Sequence, residues 1–253
     1  MKYMGSKSRI AKYIVPIIQS YITDETTLYL EPFVGGANII DKIQFNNKYG
    51  SDKNKYLIAL LKRVQENYET DDNCGLLLNV SKEAYDDART QFNTGNQTDE
   101  DWYIGNIGFI ASFNGRWFDG GYAKAGYEKT KNGLKYRDYY QEARRNLINQ
   151  AKDLQNIEFE VCDYRELMEL NIKHAVIYCD PPYQNTKQYI NAIKFDYDLF
   201  WNNMRKWSED NTVLISEENA PEDFECIWSQ EVSRSIKATD KSKSVEKLFK
   251  MKG

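Results

Sequence analysis

The chain has 253 residues, 41% of them hydrophobic, enough for one sizeable core, and its formal net charge of −4 does not advertise a nucleic-acid-binding surface. Its single histidine, His174, sits before a strand-like run as a surface turn residue, and excludes Ser-His-Asp triads, paired-histidine metal sites and zinc deaminase centres. The scattered Cys74, Cys162, Cys179 and Cys226 read as reduced, buried thiols rather than metal ligands, and the absence of an apolar run of membrane-spanning length or an N-terminal signal core leads us to expect a cytoplasmic protein with no membrane partner.

In chain order, Ser8 to Gln19 places Ile10, Tyr13, Ile14, Ile17 and Ile18 at helical spacing, with Pro16 inside the pattern as a kink or break. Thr27 to Leu30 is a short strand that leads into the glycine turn Glu31-Pro32-Phe33-Val34-Gly35-Gly36, and helical character is expected over Ala37 to Ile43. A second strand ends at Asp52, and Lys55 to Tyr68 carries Leu57, Ile58, Leu60, Leu61 and Val64 on a helix. Strand alternating with helix predicts a parallel α/β sheet.

From residue 68 to 135 helical pieces alternate with Asn- and Gly-rich stretches, which reads as an insertion. The expected division is 1–67, the first part of a catalytic domain; 68–135, a mostly helical recognition insertion; and 136–253, the second catalytic part. Regular spacing returns with a helix over Asp138 to Leu154, strands at Ile157 to Val161, Ala175 to Cys179 and Thr212 to Ser216, and a helix from Arg165. Charge is uneven along the way: residues 69–101 are acidic, 116–145 basic, and a second basic run covers Arg234 to Lys252. Such runs fit either a solvated surface or a polyanion partner.

The most specific signal is Tyr178-Cys179-Asp180-Pro181-Pro182-Tyr183, in which an apolar strand delivers an acid, two prolines and an aromatic ring to the loop beyond its carboxyl end, where open α/β sheets bind ligands. The alternative is a plain turn. An adenine N6 amine is a poor nucleophile because its lone pair is delocalised into the ring. Asp180 and the carbonyl of Pro181 can each accept one of its hydrogens, the prolines fixing the backbone, while Tyr183 offers a stacking face. An activated methyl donor needs no metal and no covalent enzyme intermediate.

With this motif the sequence resembles the Dam-like, D12-class adenine-N6 DNA methyltransferases over nearly its whole length, most closely the phage-encoded members. The resemblance implies a Rossmann-like methyltransferase sheet with an inserted, mostly helical target-recognition domain, S-adenosylmethionine as cofactor, double-stranded DNA as partner, base flipping, and a monomer or weak dimer. It assigns Glu31, Pro32, Phe33, Gly35, Gly36, Ala37 and Asn38 to the cofactor motif E-P-F-x-G-[GA]. It places Asp52, with Lys53, at the ribose, and Cys162, Asp163 and Tyr164 at the cofactor's adenine. Helix capping remains the alternative for both aspartates. Tyr3, Met4, Gly5 and Lys7 fall at the N-terminal cofactor motif, with Met4 and Ser6 departing from the more familiar residues.

In the insertion, Ser112 to Phe118 resembles an Asn-Gly hairpin of the family, implying DNA contacts by Phe113, Asn114, Arg116 and Trp117; residues differing at Arg116 and Phe118 leave the recognition sequence open, and ordinary core is the alternative for the aromatics. Thr186 to Phe195 is polar, with Lys187 and Tyr189 placed to close over a flipped base. Ser244 to Phe249 resembles the closing strand of the family, and Ser233 to Lys243 the basic loop before it, with Lys241 and Lys243 as phosphate contacts. RNA adenine, cytosine N4, or a non-catalytic DNA-binding role stay open at this point.

Overall fold

A computed structural model describes residues 1–130, 133–183, 195–237 and 240–253, with backbone alone at 233–237 and 240–244. A turn of 3-10 helix at Lys7–Arg9 precedes α1 (Ala11–Ser20), which runs through Pro16 without ending there. Then follow β1 (Leu28–Glu31), β2 (Lys48–Asp52) and α2 (Lys55–Glu66), whose first turn is capped by Asn54 through the amides of Tyr56 and Leu57. The next segment holds α3 (Lys82–Thr94), α4 (Asp101–Gly105), a π-helical stretch over Asn106–Ile110, and a hairpin of β3 (Gly126–Thr130) and β4 (Gly133–Arg137). The chain closes through α5 (Tyr139–Ala151), β5 (Ile157–Val161), α6 (Tyr164–Leu167), β6 (Ala175–Cys179), α7 (Tyr197–Ser208), β7 (Thr212–Glu217), β8 (Phe224–Lys237) and β9 (Asp240–Met251).

Seven strands make one sheet in the order β5-β2-β1-β6-β7-β9-β8. The first five are parallel; β9 runs antiparallel to β7, and β8 antiparallel to β9. The chain leaves β1 toward β2 on one side and returns to β6 on the other, so the order reverses between β1 and β6. In open sheets that reversal opens a crevice outside the carboxyl ends of the strands.

Strand alternation sorts the core onto two faces. Tyr29, Val176, Tyr178, Leu214 and Leu248 join the larger cluster with Ile14, Ile18, Leu57, Leu61 and Leu147 from α1, α2 and α5. Leu30, Ile177, Cys179, Ile215 and Phe249 join the smaller one with Phe200, Met204 and Trp207 of α7. Extending the period of two places Glu31, Asp180 and Glu246 on the face of the larger cluster, since they follow or precede Tyr29, Tyr178 and Leu248 by two residues. Tyr85, Ala88, Ile104, Ile107 and Phe109 of the 68–135 segment belong to this same cluster, so the segment packs onto the sheet core.

Several local expectations change. No α-helix forms over Ala37 to Ile43: Gly35 and Ala37 take left-handed backbone, Ala37 closes a turn onto the Val34 carbonyl, and only Ile40–Lys42 forms a 3-10 turn. Ser112 to Phe118 makes 3-10 turns at Phe113–Gly115 and Trp117–Gly120 rather than a hairpin, with Asn114 and Trp117 left-handed. The hairpin of this segment is β3–β4. The basic stretch Ser233 to Lys243 is a pair of strands, with Ser233 opposite Lys243. All the cysteines are free, but Cys162 is half-buried and Cys226 exposed on β8, against the expectation that all are buried. Among the described residues no helix is long and apolar enough to cross a membrane, and no group of three or more acid, cysteine or histidine side chains could hold a metal ion.

Candidate active site

The carboxyl ends of β1, β2, β5 and β6 bring Glu31, Asp52, Asp163 and Asp180 to one edge of the sheet. Asp180 leaves β6 beside the crevice, and the ammonium of Lys7 sits 2.8 Å from its Oδ1. Burial pushes the Asp180 carboxyl above its ordinary range, and the Lys7 ammonium draws it back toward ionisation. Lys7 itself is 8% exposed and lies 4.4 Å from the centre of the Tyr183 ring. The turn is braced by the Tyr197 hydroxyl, which donates to the Pro182 carbonyl at 2.7 Å. Tyr183 is buried, and burial together with Asp180 and Glu246 pushes its phenol far up, so the hydroxyl remains a donor; it donates to Glu246 at 2.8 Å.

Glu31 is fully enclosed, and the Tyr29 hydroxyl donates to it at 2.6 Å. Burial raises its carboxyl well above the carboxylate range, with Asp41 and Asp180 adding to the rise against the Tyr29 bond. A raised folded-state value means that its stabilising contribution is full below the ordinary carboxylate range and is lost as pH climbs through the raised value. Glu31→Gln keeps an oxygen for the Tyr29 hydroxyl and removes this dependence. The melting temperature of the wild type relative to the variant should therefore fall steadily as pH rises from about 5 toward about 8. A difference that stays constant across that range would contradict the assignment.

Phe33 packs on Tyr164 and Phe200, and Tyr164 also on Phe195, so the rings expected at the cofactor line one aromatic patch. Pro32 is buried beside it. The Asp52 carboxylate accepts the Gly35 amide at 3.3 Å and the Asn54 amide at 2.9 Å, which holds the glycine turn against β2. Gly36 has no room for a side chain: a Cβ would lie 2.7 Å from Asn38 Nδ2 and 3.0 Å from Tyr3 Cβ. Asn38 donates to the Met1 carbonyl, and the Tyr3 ring lies tilted 5.6 Å from that of Phe109, so the segment before Lys7 threads between the glycine turn and the π-helical stretch. Asp163 caps α6 in a reciprocal box with Glu166 and pairs with Arg165 at 2.8 Å, which holds its carboxyl below the usual range. Cys162 is half-buried; Met4, Gly5 and Lys53 are exposed, Gly5 with positive φ.

Of the residues assigned to DNA, Phe113, Asn114 and Arg116 are exposed. Trp117 points inward, 5% exposed, against Phe109, Phe118 and Tyr56, and fills the space over Gly108. Lys187 and Tyr189 lie outside the described residues, as do the side chains of Lys241 and Lys243. The sequence reading missed the outer face of the β3–β4 hairpin. There Tyr127 pairs with Tyr136 and Lys129 with Leu134, leaving Tyr127 and Leu134 each 74% exposed. The opposite face is tied down by Arg137, Glu128 and Glu142, and Tyr139 links it to Phe113 at 5.2 Å between rings. Asn132-Gly133 between alternating runs is the hairpin signal that was available.

A mostly parallel sheet with an acid-proline-proline-tyrosine turn and a glycine turn on either side of its reversal can now be set beside known proteins. Residues 3–213 match the family model of the D12 class N6 adenine-specific DNA methyltransferases. The chain belongs to this family. It is also similar to the type II methyltransferase M.MjaIII of Methanocaldococcus jannaschii, 25% identical over 220 residues, which cover 78% of this chain and 74% of that protein. The crystal structure of SMU.472 complexed with SAH aligns at a TM-score of 0.37 and 10% identity; the alignment covers 98% of this chain but 52% of that one, about half its length, and is too loose to carry an argument.

Adenine in DNA is thus the acceptor, and S-adenosylmethionine the methyl donor of this D12-class methyltransferase. The residues fit that donor on their own account. Gly36 in the glycine turn has no space for a side chain, the turn is held to β2 by the Asp52 carboxyl, and an aromatic patch lies beside it.

Proposed function

We propose that this methyltransferase acts on duplex DNA by drawing an adenine out of the stack into the Asp180–Tyr183 turn. The carrying observation is the placement of Asp180 at the sheet reversal, paired through one oxygen with Lys7. A carboxylate offers about four acceptor sites and Lys7 uses one, so capacity remains for an N6 hydrogen. No described amide donates to the Pro181 carbonyl, the second acceptor in this reading. With both hydrogens held, the N6 lone pair is localised for attack. Lys7 opposes the burial that disfavours an ionised Asp180, and the Tyr183 ring takes the base by stacking. Extruding the base costs about a few kcal/mol, which stacking and these hydrogen bonds offset.

Glu31, Gly35, Gly36, Asp52, Asp163 and Tyr164 would hold the donor, and Lys7, with Tyr3 before it, closes the pocket from the N-terminal side. When bound, S-adenosylmethionine supplies an activated methyl group on a sulfonium. The insertion, taken as residues 68–135, would meet DNA through Phe113, Asn114 and Arg116, and through Tyr127, Lys129, Leu134 and Tyr136 of the hairpin. The rigid aromatics and lysine suit sugar, base and phosphate contact despite the acidic balance of the whole chain. We place the protein in the cytoplasm, acting as a monomer or weak dimer.

The test is incubation with methyl-labelled donor and unmethylated duplex DNA, followed by mass spectrometry of the nucleosides. N6-methyldeoxyadenosine confined to one short sequence is the expected product. Label in N4-methyldeoxycytidine, preferential labelling of RNA, or no transfer despite donor binding would overturn the reading.

A further inference from the structure

Glu246 is a half-buried acid at the site that neither the catalytic turn nor the glycine motif supplies. It stands on β9, opposite Gln230 of β8, and shares a sheet face with the fully buried Leu248, while Val245 beside it points to solvent. Its side chain, 14% exposed, accepts the Tyr183 hydroxyl at 2.8 Å and lies 3.8 Å from the Lys7 ammonium. Lys7 in turn reaches Asp180 at 2.8 Å and covers the Tyr183 ring at 4.4 Å. Three separated stretches of chain thus meet in one closed set of contacts.

We propose that Glu246 is a positioning residue for methyl transfer, which fixes the plane of the Tyr183 ring through its hydroxyl and divides the hold of Lys7 between two carboxylates. This rests on the reading of the Asp180–Tyr183 turn given above. The chemistry of each partner requires such a group. A phenol buried at this depth needs an acceptor, and the bond to Glu246 orients its hydroxyl and with it the ring. A lysine beside Asp180 alone would have that acceptor, which the incoming amine must share, as its sole anionic partner. A second carboxylate on its other side gives those donors another target and adds negative charge where the cationic donor and the methylated amine carry positive charge.

The experiment is single-turnover methylation of duplex DNA by Glu246→Ala, Glu246→Gln, Tyr183→Phe and the Tyr183→Phe/Glu246→Ala double variant, with Asp180→Ala alongside and thermal melts for each. Glu246→Ala should slow transfer about 10- to 100-fold, as loss of reactant positioning does, with donor affinity within about threefold of wild type. Tyr183→Phe should have little further effect in the Glu246→Ala background, because both changes break the same contact. Glu246→Gln, which retains an acceptor for the phenol, should recover part of the rate.

The pH profile separates positioning from bulk stability. Asp180 is faced by Lys7 from the N-terminal turn, Glu246 from β9, Glu31 from β1, and Tyr178, Cys179 and Tyr183 from its own segment. Of these Glu246 raises its carboxyl and Lys7 lowers it. Glu246→Gln should therefore move the acid limb of the rate to lower pH.

Wild-type rates in both Glu246 variants, or fully multiplicative effects in the double variant, would overturn the proposal while a dead Asp180→Ala left the turn's role intact. Undiminished transfer in Asp180→Ala would instead remove the reading on which it rests. Should Glu246→Ala fail to fold, the isosteric Glu246→Gln decides alone: an unmoved acid limb and an unchanged rate count against it.

Discussion

Asp180→Asn should reduce single-turnover methyl transfer by about 10²–10³-fold, the loss expected when one fixed group that stabilises developing charge is removed. The amide keeps the shape of the side chain and one oxygen, but it loses the charge that offsets Lys7 and can present its NH2 toward another donor. Donor binding, followed calorimetrically with S-adenosylhomocysteine, should change little, because the glycine turn is held by Asp52 rather than by Asp180. In the proposed mechanism Asp180 accepts as the ionised carboxylate. Since burial raises its carboxyl, activity should fall on the acid side at a higher pH than an ordinary aspartate would give. Lys7→Gln removes the cation that opposes this rise and should shift the acid limb further up. A wild-type rate in Asp180→Asn, or an acid limb that Lys7→Gln moves downward, would sink this mechanism.

Gly105→Ala should lower the melting temperature by about 3–10 °C. Two effects compete at this position. Alanine is favoured over glycine in a helix by about 1 kcal/mol. Its Cβ, however, would lie 2.2 Å from the carbonyl oxygen of Tyr56 and 3.1 Å from the carbonyl carbon, where α4 crosses α2. A backbone oxygen within a helix cannot turn aside as a side chain can, so the helices must separate. Overpacking of this kind costs about 1–3 kcal/mol or more, at about 2–4 °C per kcal/mol in a chain of this size. Gly126→Ala, with no atom within 4 Å of the new carbon, is the matched control and should leave the melt in place. Equal melting temperatures for the two variants would mean that α4 and α2 do not approach this closely. The contact matters beyond stability, since α2 begins just after the Asp52 turn and α4 leads into the Asn106–Ile110 stretch and the turns that carry Phe113 and Asn114.

Much of the sheet was legible because its strands are simple local signals. Ile157 to Val161 and Ala175 to Cys179 are short apolar or alternating runs between turn residues, and both boundaries match the structure. The Asp180 turn was legible because two consecutive prolines after such a strand leave little conformational choice. Other parts depended on partners distant in sequence. β8 has a bulge between Cys226 and Trp228 and another between Ser235 and Lys237, which break the alternation that would have marked it. The failed helix after Gly36 was decided by Asn38 bonding to the Met1 carbonyl and by left-handed Ala37, neither visible in helical spacing. In α7 the spacing of Phe200, Met204 and Trp207 was present in the sequence, yet no element was expected between Phe195 and Thr212. Glu246 stood in the closing-strand motif without a role, because its partners Tyr183 and Lys7 are brought to it only by the folded sheet.

The placement of β9 between β7 and β8 has a temporal meaning. During synthesis β8 emerges first, yet its place at the edge exists only once residues 240–251 have entered the gap beside β7. A nascent chain that has reached β8 therefore has an unfinished sheet and no Glu246 to meet Lys7 and Tyr183. Order at this side of the sheet therefore waits on β9, which must pair with both β7 and β8 before either neighbour is fixed.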